Sequence, residues 1–257
     1  MAEKITLSVE TARKLHREGK QMQLHSAGKF DNGVLKAAVF GANDGIVTTF
    51  AVVAGVAGAQ LSPAIVLVMG LANMFADGLS MGLGDYLGER SEARHRARQY
   101  EIEKWEIAYI PEEELIELDR YFQKKEINEG DRKQLTNILR KYPKFWAELG
   151  FIDEMGMTPQ IDRQLWLSGA VTFFAFLGAG FLPLTPYVLF YLGAPLAPEH
   201  QFTYSMIATT LALFCVGSLR TYITKGAWWK NGLEMLGIGT IAAATAYVLG
   251  ALIANVV

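Results

Sequence analysis

Residues 76–92 read ADGLSMGLGDYLGERSE, and they follow the apolar run PAIVLVMGLANMF at 63–75 with no turn signal between. The run is suited to a lipid bilayer, yet Asn73, Asp77, Met81, Asp85 and Glu89 recur along it at four-residue steps. A four-residue step turns about 40° past one helical revolution, so the five residues form a slowly drifting stripe on one side of a helix. An acid at bilayer depth costs about 2.5–3.5 kcal/mol on insertion scales, so it normally faces a cavity, a partner or an ion path. The stretch therefore predicts a membrane span with a polar function along one side.

Four further apolar blocks lie near 36–59, 165–192, 202–219 and 232–257. Each is long enough to cross a hydrocarbon core of about 30 Å as a helix. The chain of 257 residues is 51% hydrophobic, and its mean hydropathy is +0.18. Gly and Ala punctuate the blocks, as expected where membrane helices pack closely. Cys215 is the single cysteine, so neither an intrachain disulfide nor a cysteine metal cluster is available. The N-terminal segment is polar and mixed in charge, without the apolar core of a cleavable signal peptide.

The cations set the topology. No Lys or Arg occurs in 37–89, 164–219 or 231–257; all 24 lie in the segment up to Lys36, in Arg90–Arg163 and in Arg220–Lys230. Five spans put those three places on one side, and the positive-inside rule makes that side cytoplasmic. Pro183 and Pro186 fall within the third block, which is read as one long kinked span, because two short spans would move 220–230 to the other side. Trp228 and Trp229 suit an interfacial belt. The expected fold is all-α: a cytoplasmic N-terminal segment (1–33), spans 1 and 2 (34–89), a cytoplasmic helical domain (90–162) and spans 3 to 5 (163–257).

Region 90–162 reads as helices. The first continues span 2 into water; the second starts at Pro111, a favourable first-turn residue; the third follows Gly130 with Asp131 as its cap; a short fourth follows Pro143. Glu103 and Glu106 are three residues apart, as are Glu114 and Glu117, so each pair shares a helix face. Two such helices packed together gather four carboxylates, which repel unless they share protons or bind a cation. Carboxylate oxygens suit hard or borderline divalent ions, while a solvated acidic face is the plainer alternative. Glu92 and His95 form one E-x-x-H, but di-iron bundles need two. Arg90, Arg94, Arg96 and Arg98 around it favour a headgroup anchor instead.

In the first span, Asn43, Asp44, Thr48 and Thr49 add polar groups. A carboxylate there, a second from Asp77 and the Met81 thioether make a mixed set. Sulfur is a poor ligand for Mg²⁺ or Ca²⁺ but acceptable to Fe²⁺ and Co²⁺.

At these residues the chain resembles the vacuolar iron transporter family. The resemblance is carried by GANDGIVTTFAVVAGVAGA (41–59) and ANMFADGLSMGLGDYLGERSE (72–92), with support from PEEELIEL (111–118), LPLTPYVL (182–189) and EMLGIGTIAAATAYVLG (234–250). It implies a homodimer of five-span subunits with a path near the twofold axis. It also implies export of Fe²⁺, and often Mn²⁺, from the cytosol in exchange for protons, with Co²⁺ and Zn²⁺ as further ions of the class. By position, Asp44 and Met81 correspond to the family's transmembrane metal ligands. Glu103, Glu106, Glu114, Glu117 and Glu154 correspond to glutamates of its cytoplasmic metal-binding domain. Asn43, Asn73, Asp77, Asp85 and Glu89 join the path from the polar stripes. The chain departs from the family at Gly150, four residues before Glu154, where a methionine ligand is usual.

The metal is thus expected as cargo, with no prosthetic group. The expected partners are a bilayer of cell-membrane or vacuole type, a second copy, metal ions and protons, with no nucleic acid. Two other readings compete: a membrane-bound di-iron oxidase, and a proton-conducting membrane protein whose acids carry no metal.

Overall fold

A computed structural model of the chain describes residues 32–156, 164–221 and 226–256. The expected N-terminal segment, apart from its last two residues, and the end of 90–162 lie outside them. Eight α-helices and no strand occur among the described residues. They are α1 (Asn32–Gly58), α2 (Pro63–Tyr109), α3 (Pro111–Lys124), α4 (Glu129–Leu139), α5 (Pro143–Met155), α6 (Leu165–Tyr191), α7 (Gln201–Leu219) and α8 (Trp228–Ala254). A single 3₁₀ turn, Pro198–His200, precedes α7. The five helices long and apolar enough to span a membrane are α1, α2, α6, α7 and α8, as the sequence predicts.

The chain divides into two compact units, residues up to Gly78 with Val171–Val257, and Leu79–Ala170. In the first, α1, α7 and α8 pack on one another around Ile46, Ala212, Leu213 and Met235. In lipid there is no water to expel between helices, so close van der Waals contact holds such a bundle. Gly58 and Gly250 make that contact possible: a Cβ on either would collide with the opposite backbone, at the Tyr247 and Gly55 carbonyls. Exposed Ile241, Leu249, Leu252 and Ile253 on α8 suit a hydrocarbon solvent.

Local chemistry sets the helix ends. At the end of α1, Gln60 adopts a left-handed conformation (φ 55°), and Pro63 opens α2 in its first turn. α6 runs through both Pro183 and Pro186 as one helix, as expected of a single third span. The hydroxyl of buried Ser205 donates to the Pro183 carbonyl at 2.6 Å, so α7 is tied to the proline segment.

α2 has 47 residues, about 70 Å at 1.5 Å per residue and more than twice a hydrocarbon core. It continues unbroken from apolar into charged sequence, as expected for span 2. In the second unit its end joins α3, α4 and α5 around Ile107, Leu118, Phe122, Leu139 and Trp146. One boundary differs from expectation. α4 starts at Glu129 and its cap is Asn128, whose Oδ1 accepts the Asp131 backbone N–H at 3.0 Å, so Asp131 lies inside the first turn. Both residue types cap well; Asn128 takes the extended conformation the cap requires. Pro143 opens α5, and Gly156 closes it in a left-handed conformation (φ 66°).

Candidate functional site

Two sets of acids stand out. The first lies on the apolar helices. Asp44 and Asn43 are half-buried on α1, and the Thr48 hydroxyl donates back to the Asp44 carbonyl oxygen at 2.8 Å. Asn43 Oδ1 and the hydroxyl of fully buried Thr49 have no hydrogen-bond partner among the described residues. Such orphaned polar atoms are uncommon in folded interiors. On α2, Asp77 accepts a 2.7 Å hydrogen bond from Asn73 Nδ2, one helical turn earlier. In the second unit, Asp85 accepts a 2.6 Å hydrogen bond from the Ser168 hydroxyl of α6.

The stripe itself is visible in the exposure pattern. Asn73, Asp77, Met81, Asp85 and Glu89 are all half-buried, while Phe75, Leu79, Leu83 and Leu87 between them are exposed. Exposed apolar and half-buried polar residues thus alternate along this part of α2, as a lipid-facing side and a protected side require.

The second set lines a cleft in the charged unit, built from three helix faces. α2 contributes Glu103; α3 contributes Glu114, Glu117, Leu118 and Tyr121; α5 contributes Trp146, Leu149, Gly150, Asp153 and Glu154. The α3 and α5 residues follow the i, i+3, i+4, i+7 rule of a single helix face. Glu103 is only 4% exposed and Glu114 8%, whereas Glu117 and Glu154 reach solvent. The cleft leaves about 10 Å³ for the centre of a water-sized particle, room for about one.

Electrostatics register this crowding. Burial, reinforced by Glu114, Glu154, Glu106 and Glu117, pushes the Glu103 carboxyl up to about 8. Burial again, then Glu106, Glu117 and Glu154, pushes Glu114 up to about 7. Glu154 is raised by burial and by Glu117, Glu106 and Asp153. Glu106 does not line the cleft, yet its charge is felt by all three. Among the described residues, no three His, Cys, Asp or Glu side chains stand close enough to close on one ion as they are. A cation would have to draw these side chains together, displacing the protons that their raised carboxyls hold.

The sequence did not single out Asp153 or Tyr121 as cleft residues. Asp153 lies three residues after Gly150 on the same helix face, with no acid at helical spacing to mark it, so its place in the cleft follows only from the packing of α5. Lys124 Nζ approaches Asp153 at 3.4 Å. The E-x-x-H is dispersed: Glu92 pairs with Arg96, and His95 is exposed. Glu234 has Arg220 at 3.5 Å.

Acids on apolar helices together with a carboxylate cleft define an integral, polytopic helical membrane protein suited to handling cations. Residues 35–251 match the model of the VIT family, and the chain belongs to that family. It is 32% identical to vacuolar iron transporter 1 of Arabidopsis thaliana over 226 residues, covering 88% of each chain. It is also 32% identical to the vacuolar iron transporter of Toxoplasma gondii over 254 residues, 97% of this chain and 83% of that one. To the vacuolar iron transporter of Plasmodium falciparum it is 30% identical over 257 residues, 98% and 93% of the two chains. The chain is accordingly a membrane transporter and not an enzyme.

Proposed function

We propose that the protein carries Fe²⁺, and also Mn²⁺, out of the cytosol across its membrane in exchange for protons. The observation that carries this reading is the presence of Asp44 and Asp77 on apolar helices of a chain whose relatives are named iron transporters. A carboxylate at hydrocarbon depth can hold a divalent ion or a proton in turn, which is the elementary step of an exchanger. Met81 adds a sulfur donor that favours Fe²⁺ over Mg²⁺ and Ca²⁺. Asn43, Asn73, Asp85 and Glu89 extend the polar path on either side of these ligands.

The cleft of Glu103, Glu114, Glu117 and Glu154, with Glu106 acting on it through its charge, is the cytoplasmic collecting site, on the side to which the cations assign it. The working unit is a homodimer with its path near the twofold axis, as the family resemblance implies. An oxidase reading lacks support, since Glu92 is engaged by Arg96 and, among the described residues, no set of three His, Cys, Asp or Glu side chains that could hold a metal ion includes His95.

Purified protein in liposomes tests the proposal. Fe²⁺ or Mn²⁺ added outside should enter the lumen without consumption of oxygen. Oxygen uptake with Fe²⁺ and no metal entry would replace the transporter by the oxidase. Proton leakage indifferent to metal would leave only a proton conductor.

A further inference from the structure

Gly150 stands where a side chain would collide with the cleft's most buried acid. A Cβ built there would clash with Oε1 of Glu103 and lie 2.9 Å from its carboxyl carbon. Glu103 is more than nine-tenths buried, and it has neither a hydrogen bond nor an ion pair among the described residues. Its carboxylate is directed into the cleft, occupying the space that Gly150 leaves open. The donors lining the cleft are oxygens: four glutamates counting Glu103, Asp153 and Tyr121. The remaining wall is Leu118, Trp146 and Leu149, with no sulfur or imidazole among them. Carboxylate oxygens suit Mn²⁺ and Mg²⁺, whereas soft donors favour thiophilic ions.

We propose that Gly150 is the specificity-determining residue of this cleft: by carrying no side chain it admits the Glu103 carboxylate, and the resulting all-oxygen site selects hard divalent cations over thiophilic ones. The inference rests on the reading of the cleft as a metal site. Any side chain at 150 displaces Glu103, and a thioether there adds the donor that the present site lacks. The colliding atom is the free end of a flexible side chain, so a Cβ moves the carboxylate and leaves the helix intact. Alanine is also the better helix former by about 1 kcal/mol, which keeps α5 folded.

The experiment is calorimetric titration of the full-length protein in detergent with Mn²⁺ and, separately, Cd²⁺. The cleft's binding step is identified as the one lost when Glu103, Glu106, Glu114 and Glu117 are all changed to Gln. Gly150→Ala should lower Mn²⁺ affinity at that step by about tenfold, the usual scale for a group that positions a ligand. In a Glu103→Gln background the same change should do little, because the residue it displaces is already disabled. Gly150→Met should shift preference towards Cd²⁺ by about tenfold or more, while Gly150→Leu loses Mn²⁺ without gaining Cd²⁺.

Unchanged Mn²⁺ affinity in Gly150→Ala, full additivity with Glu103→Gln, or no difference between Met and Leu would overturn the role of Gly150 and leave the cleft a metal site. If wild-type protein shows no step that the four-Gln variant removes, the cleft is not a metal site and both readings fall.

Discussion

The acids of the membrane helices and the acids of the cleft are accommodated in opposite ways. On the apolar helices two of the acids have a local dipole at hand: Asn73 for Asp77 and the Ser168 hydroxyl for Asp85. In the cleft, Glu103 and Glu114 are buried together without such partners among the described residues, and their carboxyls are pushed up to about 8 and about 7. An acid held by a neutral hydrogen-bond donor can take up a cation and pass it onward. A crowded set relieves its repulsion only by holding protons or a cation, which suits collection. The same residue type thus fits two different steps of one transport cycle.

The largest expected effect tests the membrane half of that contrast. Asp44→Asn keeps shape and hydrogen bonding but removes the charge, so metal uptake into liposomes should fall to the protein-free background while the melting temperature holds. Uptake at the wild-type rate would break the assignment of Asp44. The cleft half is probed by changing Glu103, Glu106, Glu114 and Glu117 together to Gln. Uptake should slow severalfold at low metal and recover in part at high metal, since supply to the path is impaired and the path itself is not. A loss as complete as that of Asp44→Asn, persisting at high metal, would erase the distinction between collecting and conducting acids.

The third test uses pH. An unfolded glutamate titrates near 4.5, and folded Glu103 near 8, so between those values the folded cleft holds a proton that the unfolded chain has released. The stability contributed is full below about 4.5 and is lost as pH rises through about 8. Metal-free protein should therefore melt several degrees lower at about pH 9 than at about pH 6, and Mn²⁺ should restore the difference. A melting temperature that climbs over this range would contradict the crowded-acid description. The smallest structural change is Met81→Leu, which keeps volume and should cost under about 1.5 kcal/mol in stability. Uptake of Fe²⁺ should drop far more than stability does; parallel losses would return Met81 to packing.

Much of this architecture could be read from the chain itself. The segregation of Lys and Arg and the lengths of the apolar blocks located all five spanning helices, and the lack of punctuation at LGERSEARHR predicted that α2 runs on past the apolar stretch. The pairs Glu103/Glu106 and Glu114/Glu117 pointed to acids gathered from two helices, because i, i+3 spacing depends only on helix geometry. What depended on packing was not readable. No spacing rule says that Glu103 would be almost fully buried while Glu117 stays exposed, or that the Glu103 carboxylate would lie against Gly150. The cap of α4 was missed by three residues, because Asn128 and Asp131 are chemically equivalent candidates until the backbone chooses.

The central claim, metal movement in exchange for protons, is tested most directly by recording luminal pH in liposomes that contain the protein and a trapped pH-sensitive dye. With no initial pH difference, Mn²⁺ or reduced Fe²⁺ added outside should enter while protons leave, so the lumen becomes alkaline. The signal should scale with the metal gradient and vanish in Asp44→Asn. Metal entry with a flat luminal pH, under conditions where an ionophore confirms that the dye responds, would contradict exchange and leave a uniporter in its place.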